Sequence, residues 1–275
     1  MANTALAGLE TALRARKLDR TLTTALPPLE RRDASALIAT DIAALDACLR
    51  GGVPRGQLSE IVGPHSSGRT TLVLQAMAAS TRRGEIAAFV DTFARLDVTS
   101  AVAAGIDLDR LLWVRGPSTS LGTSLGTNIA HTSLWGPASL PDEARRAESG
   151  AGPDGFVNRA LKALNLVLQA GGFACVVLDL ADVPPAALTR IPFTTWLRVQ
   201  RIIEGSDTAC VLLASQPLAR SAGGLTLSLT GRARWTGDAD RNRHLTGADL
   251  TVRVVSPRRR VDGEVSIAAF SDVSH

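Results

Sequence analysis

Lysine is nearly missing from this 275-residue sequence: Lys17 and Lys162 are the only two, and arginine carries almost all the positive charge. A net charge of +4 permits contact with nucleic acid or an acidic partner without demanding it. Cysteine is scarce as well. Cys48, Cys175 and Cys210 share no C-x-x-C spacing, and two of them lie in apolar strand-like runs, so they are expected to be reduced core residues of a cytosolic protein. Long hydrophobic runs are absent. No stretch reaches bilayer-spanning length, and Glu10, Arg14, Arg16 and Lys17 interrupt the apolar run that a signal peptide needs, which points to the cytoplasm. What is left, 45% hydrophobic and 20% charged residues, suits a globular chain with one large core.

One stretch organises the rest. Apolar Leu58, Ile61 and Val62 approach a loop bounded by Gly63 and Gly68, and a proline-free helical pattern runs on from Thr70 to Ser80. The spacing G-x-x-x-x-G-[basic]-[ST] is met by Gly63, Pro64, His65, Ser66, Ser67, Gly68, Arg69 and Thr70, with Thr71 following. Backbone N–H groups in such a loop and the helix N-terminus behind it can surround a polyphosphate. The basic position is unusual. A lysine there is a compact point charge, whereas Arg69 brings a larger planar fork with different reach.

Before this loop, Leu6, Leu9, Leu13 and Leu18 form one face of an amphipathic helix over residues 3–18. Pro27-Pro28 and the charges of Glu30 to Asp33 make a linker, so the expected units are 1–33 and a core from 34 to 275. The helix could pack on its own core or on a neighbouring subunit. A second helical pattern covers Leu37 to Leu49. After the loop come strand-like Glu85–Asp91, helical Val157–Leu168, strand-like Phe173–Asp179, helical Thr194–Glu204 and strand-like Ala209–Ala214, then edge strands Leu225–Trp235 and Leu250–Val255. Residues 117–153, with the repeat Ser120-Leu121-Gly122-Thr123 and Ser124-Leu125-Gly126-Thr127, hold too little apolar surface to offset their ordering entropy and are expected to form a mobile insertion. The fold class is α/β, a mostly parallel central sheet flanked by helices with antiparallel edge strands at its C-terminal side.

The run from Leu45-Asp46 through Gly51-Gly52-Val53-Pro54-Arg55-Gly56-Gln57 to Glu60–Thr71 resembles the entry to the ATPase core of the RecA recombinase family, and later blocks continue the likeness in order. The resemblance implies ATP with magnesium: Asp97 would contact the adenine, and Thr70 with Asp179 would hold the ion, Asp179 through its water shell. An aspartate at a strand end can also be a plain cap. Gln216 matches the glutamine that senses the terminal phosphate, Pro184–Pro192 falls at the first DNA loop, and Arg220 and Arg258 are candidate DNA or intersubunit contacts.

Departures from the family pattern are as informative. Phe93 stands at the water-activating glutamate, and a phenyl ring can neither accept a proton nor hold a water. Ser100 replaces the base-stacking tyrosine, and Ser256 replaces one trans cation. The second DNA loop shrinks to Pro217–Gly224, and the chain ends soon after Phe270, with no room for the family's C-terminal DNA-gathering domain. ATPase activity should therefore be weak or absent.

This pattern of losses most resembles the ImuA group of RecA-like accessory proteins. The resemblance implies a scaffold in the bacterial SOS response and translesion mutagenesis, contacting an ImuB-like polymerase-fold protein, an error-prone polymerase, RecA and DNA directly or indirectly, with self-association through the N-terminal helix. Two alternatives stay open: an active ATP-dependent single-stranded-DNA-binding protein, and a cell-division inhibitor of the SulA type.

Overall fold

A computed structural model describes residues 36–116, 153–219, 224–237, 244–255 and 264–270. The helix expected over 3–18, its linker, the insertion up to residue 152, Arg220 and Arg258 lie outside the described residues.

Strands β3 (Leu58–Val62), β4 (Ala87–Asp91) and β7 (Ala209–Ala214) are buried along their whole length. Their near-continuous apolar sequences are those of strands covered on both faces. They join β5 (Leu111–Arg115), β6 (Cys175–Asp179), β8 (Thr226–Thr236), β9 (His244–Val254) and β10 (Glu264–Phe270) in one sheet of order β10-β9-β8-β3-β7-β6-β4-β5. Every pairing from β5 to β8 is parallel, while β8, β9 and β10 pair antiparallel. The expected architecture is therefore the observed one.

Alternation along the strands sorts side chains into two cores. Ile61, Phe89, Val177, Val211, Leu229 and Val252 pack with Leu45 of α1 (Ala43–Leu49), Leu72 and Met77 of α2 (Arg69–Arg82) and Ala101 of α3 (Val98–Ala103). On the other face, Leu58, Val90, Leu178 and Leu212 meet Leu164 of α4 (Pro153–Ala170), Leu188 of α5 (Pro185–Leu188), and Trp196, Val199 and Ile203 of α6 (Phe193–Ile203). Trp196, Val199 and Ile203 are the buried residues expected of that helix.

The entry to the core and its last strand differ from expectation, and short helices form at Val98–Ala103 and Pro185–Leu188, the latter where the first DNA loop was expected. Leu37–Ile38 is a short strand, β1, paired antiparallel with β2 (Val53–Pro54), and the helix begins only at Ala43. Asp41 takes a left-handed φ of 57°, and the Asp46 carboxylate accepts from Thr40 N at 2.9 Å and Thr40 Oγ1 at 2.8 Å, so a fixed turn interrupts the helical periodicity. Strand β10 was not expected; it pairs with β9 along its whole length. Among the described residues no helix is long and apolar enough to cross a membrane.

Cys175 and Cys210 are buried and Cys48 is half-buried, all as free thiols. Burial pushes the Cys175 thiol up to about 12 and raises that of Cys210 as well. Thiolate is the reactive form, so a thiol reagent at pH 8 is expected to modify Cys48 alone in native protein and all three cysteines in denaturant; native labelling of Cys175 or Cys210 would show that the sheet is not packed in this way.

Candidate functional site

The site is built where β3, β6 and β7 end side by side, at the carboxyl edge of the parallel sheet where ligands of open α/β folds bind. Strand β3 turns into the loop at Gly63, whose N–H donates to the Ala214 carbonyl at 3.3 Å. A β-carbon on Gly63 would stand 2.3 Å from the Leu229 carbonyl oxygen, so only glycine lets the loop pass β8 this closely. Gly68 closes the loop at φ 83°, a left-handed conformation that favours glycine, and α2 starts with Leu72 N donating to Gly68 O at 3.0 Å. Helix α2 has no acidic residue in its first turn, which leaves the positive end of its dipole uncompensated. Pro64, His65 and Ser66 are exposed at the tip, as are Thr70 and Thr71 on the first turn.

Two buried side chains sit inside this loop. Ser67 is 1% exposed, its hydroxyl has no hydrogen-bond partner, and it lies 2.7 Å from where a β-carbon on Gly63 would be. Arg69 is 6% exposed, and its Nη1 donates to the Ala214 carbonyl at 2.6 Å. One carbonyl at the tip of β7 thus receives both the start of the loop and the cation at its end. Burial lowers the Arg69 pKa from its ordinary value, and the fields of Asp179 and Asp182 pull it back up.

Asp179 ends β6, and its Oδ1 accepts from Ala181 N at 2.9 Å. Burial raises this carboxyl to about 6; the Ala181 hydrogen bond opposes the rise, Asp91 and Asp182 add to it, and Arg69 opposes it. Asp182 stands at the rim with His65 Nδ1 and Arg95 Nε each 3.7 Å from its oxygens. For magnesium, Thr70 and Asp179 are the residues that would hold the ion. The donor set fits a resident divalent ion poorly: Asp179 Oδ1 is already engaged by Ala181 N, and a buried guanidinium supplies positive charge beside it. Among the described residues no cluster of three or more His, Cys, Asp or Glu forms a metal-ligand set.

The remaining sequence candidates fall around this centre. Phe93 is half-buried and meets Phe156 of α4 edge-on, centroids 5.8 Å apart at 74°. Asp97 is exposed and caps α3, accepting from Thr99 N, Ser100 N and, at 2.6 Å, the Ser100 hydroxyl. That hydroxyl, followed by the Ser100 amide, holds the Asp97 carboxyl below its ordinary range. Gln216 follows β7 and lines an open groove with Leu188, Arg190, Phe193, Trp196 and Leu218.

Glu60 had no assigned role, although it is the one charged residue in the β3 sequence. It is fully buried, and its carboxylate accepts from Leu218 N at 2.6 Å, Ala219 N at 2.7 Å and Thr226 Oγ1 at 3.3 Å. It clips both ends of the short segment after Gln216 to the strand that feeds the loop. Asp91 was missed too. It accepts from Arg95 N, Leu96 N and Trp113 Nε1, fixing the turn that presents Phe93.

The Asp179 shift has a measurable consequence. Its carboxyl titrates near the ordinary 3.8 when unfolded and near 6 when folded, so native protein holds the extra proton between these values. Stability contributed at this site is lost as pH rises from about 4 through 6. Asp179→Asn, which cannot ionise, is expected to flatten that decline in urea midpoints measured between pH 4 and 7; parallel profiles for variant and wild type would contradict the burial of this carboxyl.

Residues 25–123 match the family model described as RecA N-terminal domain. The chain is 51% identical over 75 residues to Protein RecA of Nostoc punctiforme (27% of this chain, 21% of that one). To Protein RecA of Trichodesmium erythraeum it is 49% identical over 82 residues (30% and 22%), and to that of Prochlorococcus marinus 40% identical over 122 residues (39% and 33%). The matches span about a fifth to a third of the length of these curated relatives. Together with the sheet order and the loop, they support a RecA-like family for this chain.

Proposed function

We propose that this chain is a RecA-like accessory protein of the bacterial DNA damage response that binds and assembles rather than hydrolyses. The finer reading is a scaffold of the ImuA type in translesion mutagenesis, held to an ImuB-like polymerase-fold partner and through it to an error-prone polymerase. RecA and DNA are further candidate contacts, and Arg220 and Arg258 remain the side chains assigned to DNA or a neighbouring subunit.

One observation carries the proposal: at the position of the water-activating glutamate, Phe93 turns its ring onto Phe156 and the apolar core behind it. Phosphoanhydride hydrolysis needs the attacking water oriented and the developing charge stabilised. An aromatic pair does neither. Meanwhile Gly63, Gly68 and the α2 N-terminus keep the form of a phosphate cradle, so a nucleotide could stabilise the folded assembly by binding without being consumed.

The open cradle and the placement of Gln216 after β7 favour one alternative, an ATP-driven single-stranded-DNA-binding protein. Two measurements on the purified full chain separate the readings. The scaffold reading expects co-elution with an ImuB-like partner and phosphate release no faster than about 10⁻³ s⁻¹ with or without single-stranded DNA, the range of nucleotide sites that lack their charge-stabilising parts. DNA-stimulated release abolished by Asp179→Ala, with no partner co-eluting, would move the assignment to the alternative.

A further inference from the structure

We propose that the guanidinium of Arg69 is the resident cation of the phosphate cradle, so that the site takes up a nucleoside polyphosphate without a divalent metal ion. This rests on the reading of the loop as a nucleotide site and goes beyond it by naming the form of ligand it accepts.

The argument begins with charge. A polyphosphate entering the loop between Gly63 and Gly68 comes close to the ends of β6 and β7, where Asp179 and Asp182 already place carboxylates. Like charges at short range in a partly desolvated site repel strongly, and a cation must lie between them. In most polyphosphate sites a metal ion does this.

Here the chain supplies the cation itself. Asp179 pairs with Leu213, and Leu180 N donates to Leu213 O at 2.9 Å, so the β6 carboxylate stands one residue along from Ala214 on the adjoining strand. Arg69 Nη1 is fixed on the Ala214 carbonyl. Its guanidinium therefore sits at the junction of β6 and β7, within the fields of Asp179 and Asp182, and at the first residue of the helix whose N-terminus faces the loop. Five N–H donors in a rigid fork let one side hold the protein while others remain to meet phosphate oxygens. A lysine carries its three donors on a single ammonium nitrogen, so docked on the same carbonyl it cannot spread them over the width that a guanidinium spans. The position is also fixed in advance: 6% exposure and a 2.6 Å hydrogen bond mean that no side chain needs ordering when ligand arrives.

A second observation points to an acceptor in the same loop. The Ser67 hydroxyl, 1% exposed and without a hydrogen-bond partner, lies beside Gly63. A buried hydroxyl left in this state destabilises the fold, and a phosphate oxygen would accept from it.

The test is a titration of the purified full chain with a fluorescent ATP analogue, in magnesium and again in excess EDTA, on wild type and on Arg69→Lys, with thermal melting as a check that both are folded. Wild type is expected to bind with dissociation constants within about threefold of each other in the two buffers. Arg69→Lys is expected to bind in magnesium and to weaken at least tenfold in EDTA. A wild type that itself loses tenfold or more on chelation overturns the proposal, as does a lysine variant indifferent to EDTA. Absence of binding in both buffers also overturns it, while leaving the partner-binding reading, scored separately by co-elution, intact.

Discussion

The hydrogen bond from Arg69 to the Ala214 carbonyl ties together the parts of this molecule that matter. It joins the first residue of α2 to the last residue of β7, and the same carbonyl receives Gly63 at the start of the loop. A guanidinium this deeply placed is tolerated because a charge-assisted hydrogen bond and the neighbouring carboxylates offset its desolvation. Anchored on that carbonyl, it is the fixed cation on which the proposed ligand site rests.

The surroundings are set in the same way. Glu60 holds the segment after Gln216 from beneath, Asp91 holds the turn carrying Phe93, and Asp97 spends its oxygens on the cap of α3. Each carboxylate is engaged with backbone amides, which rigidifies the surroundings of the loop. Phe93 completes the pattern by joining the apolar packing. Such a frame is what the proposed binding role asks of the site.

Much of this was legible in the sequence. Buried parallel strands announce themselves as apolar runs, and β3, β4, β6 and β7 fall within a residue or two of where those runs lie. Leucines at helical spacing located α4, and Trp196, Val199 and Ile203 located the inner face of α6. The glycine spacing located the loop. Less legible were features decided by tertiary contact. Leu37 and Ile38 have helical spacing with Leu45 and Leu49, yet they pair with β2 because the Asp46 carboxylate stabilises a turn at Thr40. Strand β10 is defined only by its partner β9. That Arg69 turns inward depends on a carbonyl 145 residues away, which no local pattern carries. Glu60 could have been found: a lone carboxylate in a run of core residues signals a buried acceptor with backbone partners.

The inward position of Arg69 is most directly observed through its own guanidinium nitrogens. In nucleotide-free protein, ¹⁵N-resolved NMR is expected to show resolved, slowly exchanging Arg69 Nη protons, as for a group 6% exposed and held on Ala214 O. A single averaged signal that exchanges with water like those of surface arginines would mean that the side chain is free, and the account of a cradle with its own fixed cation would fail.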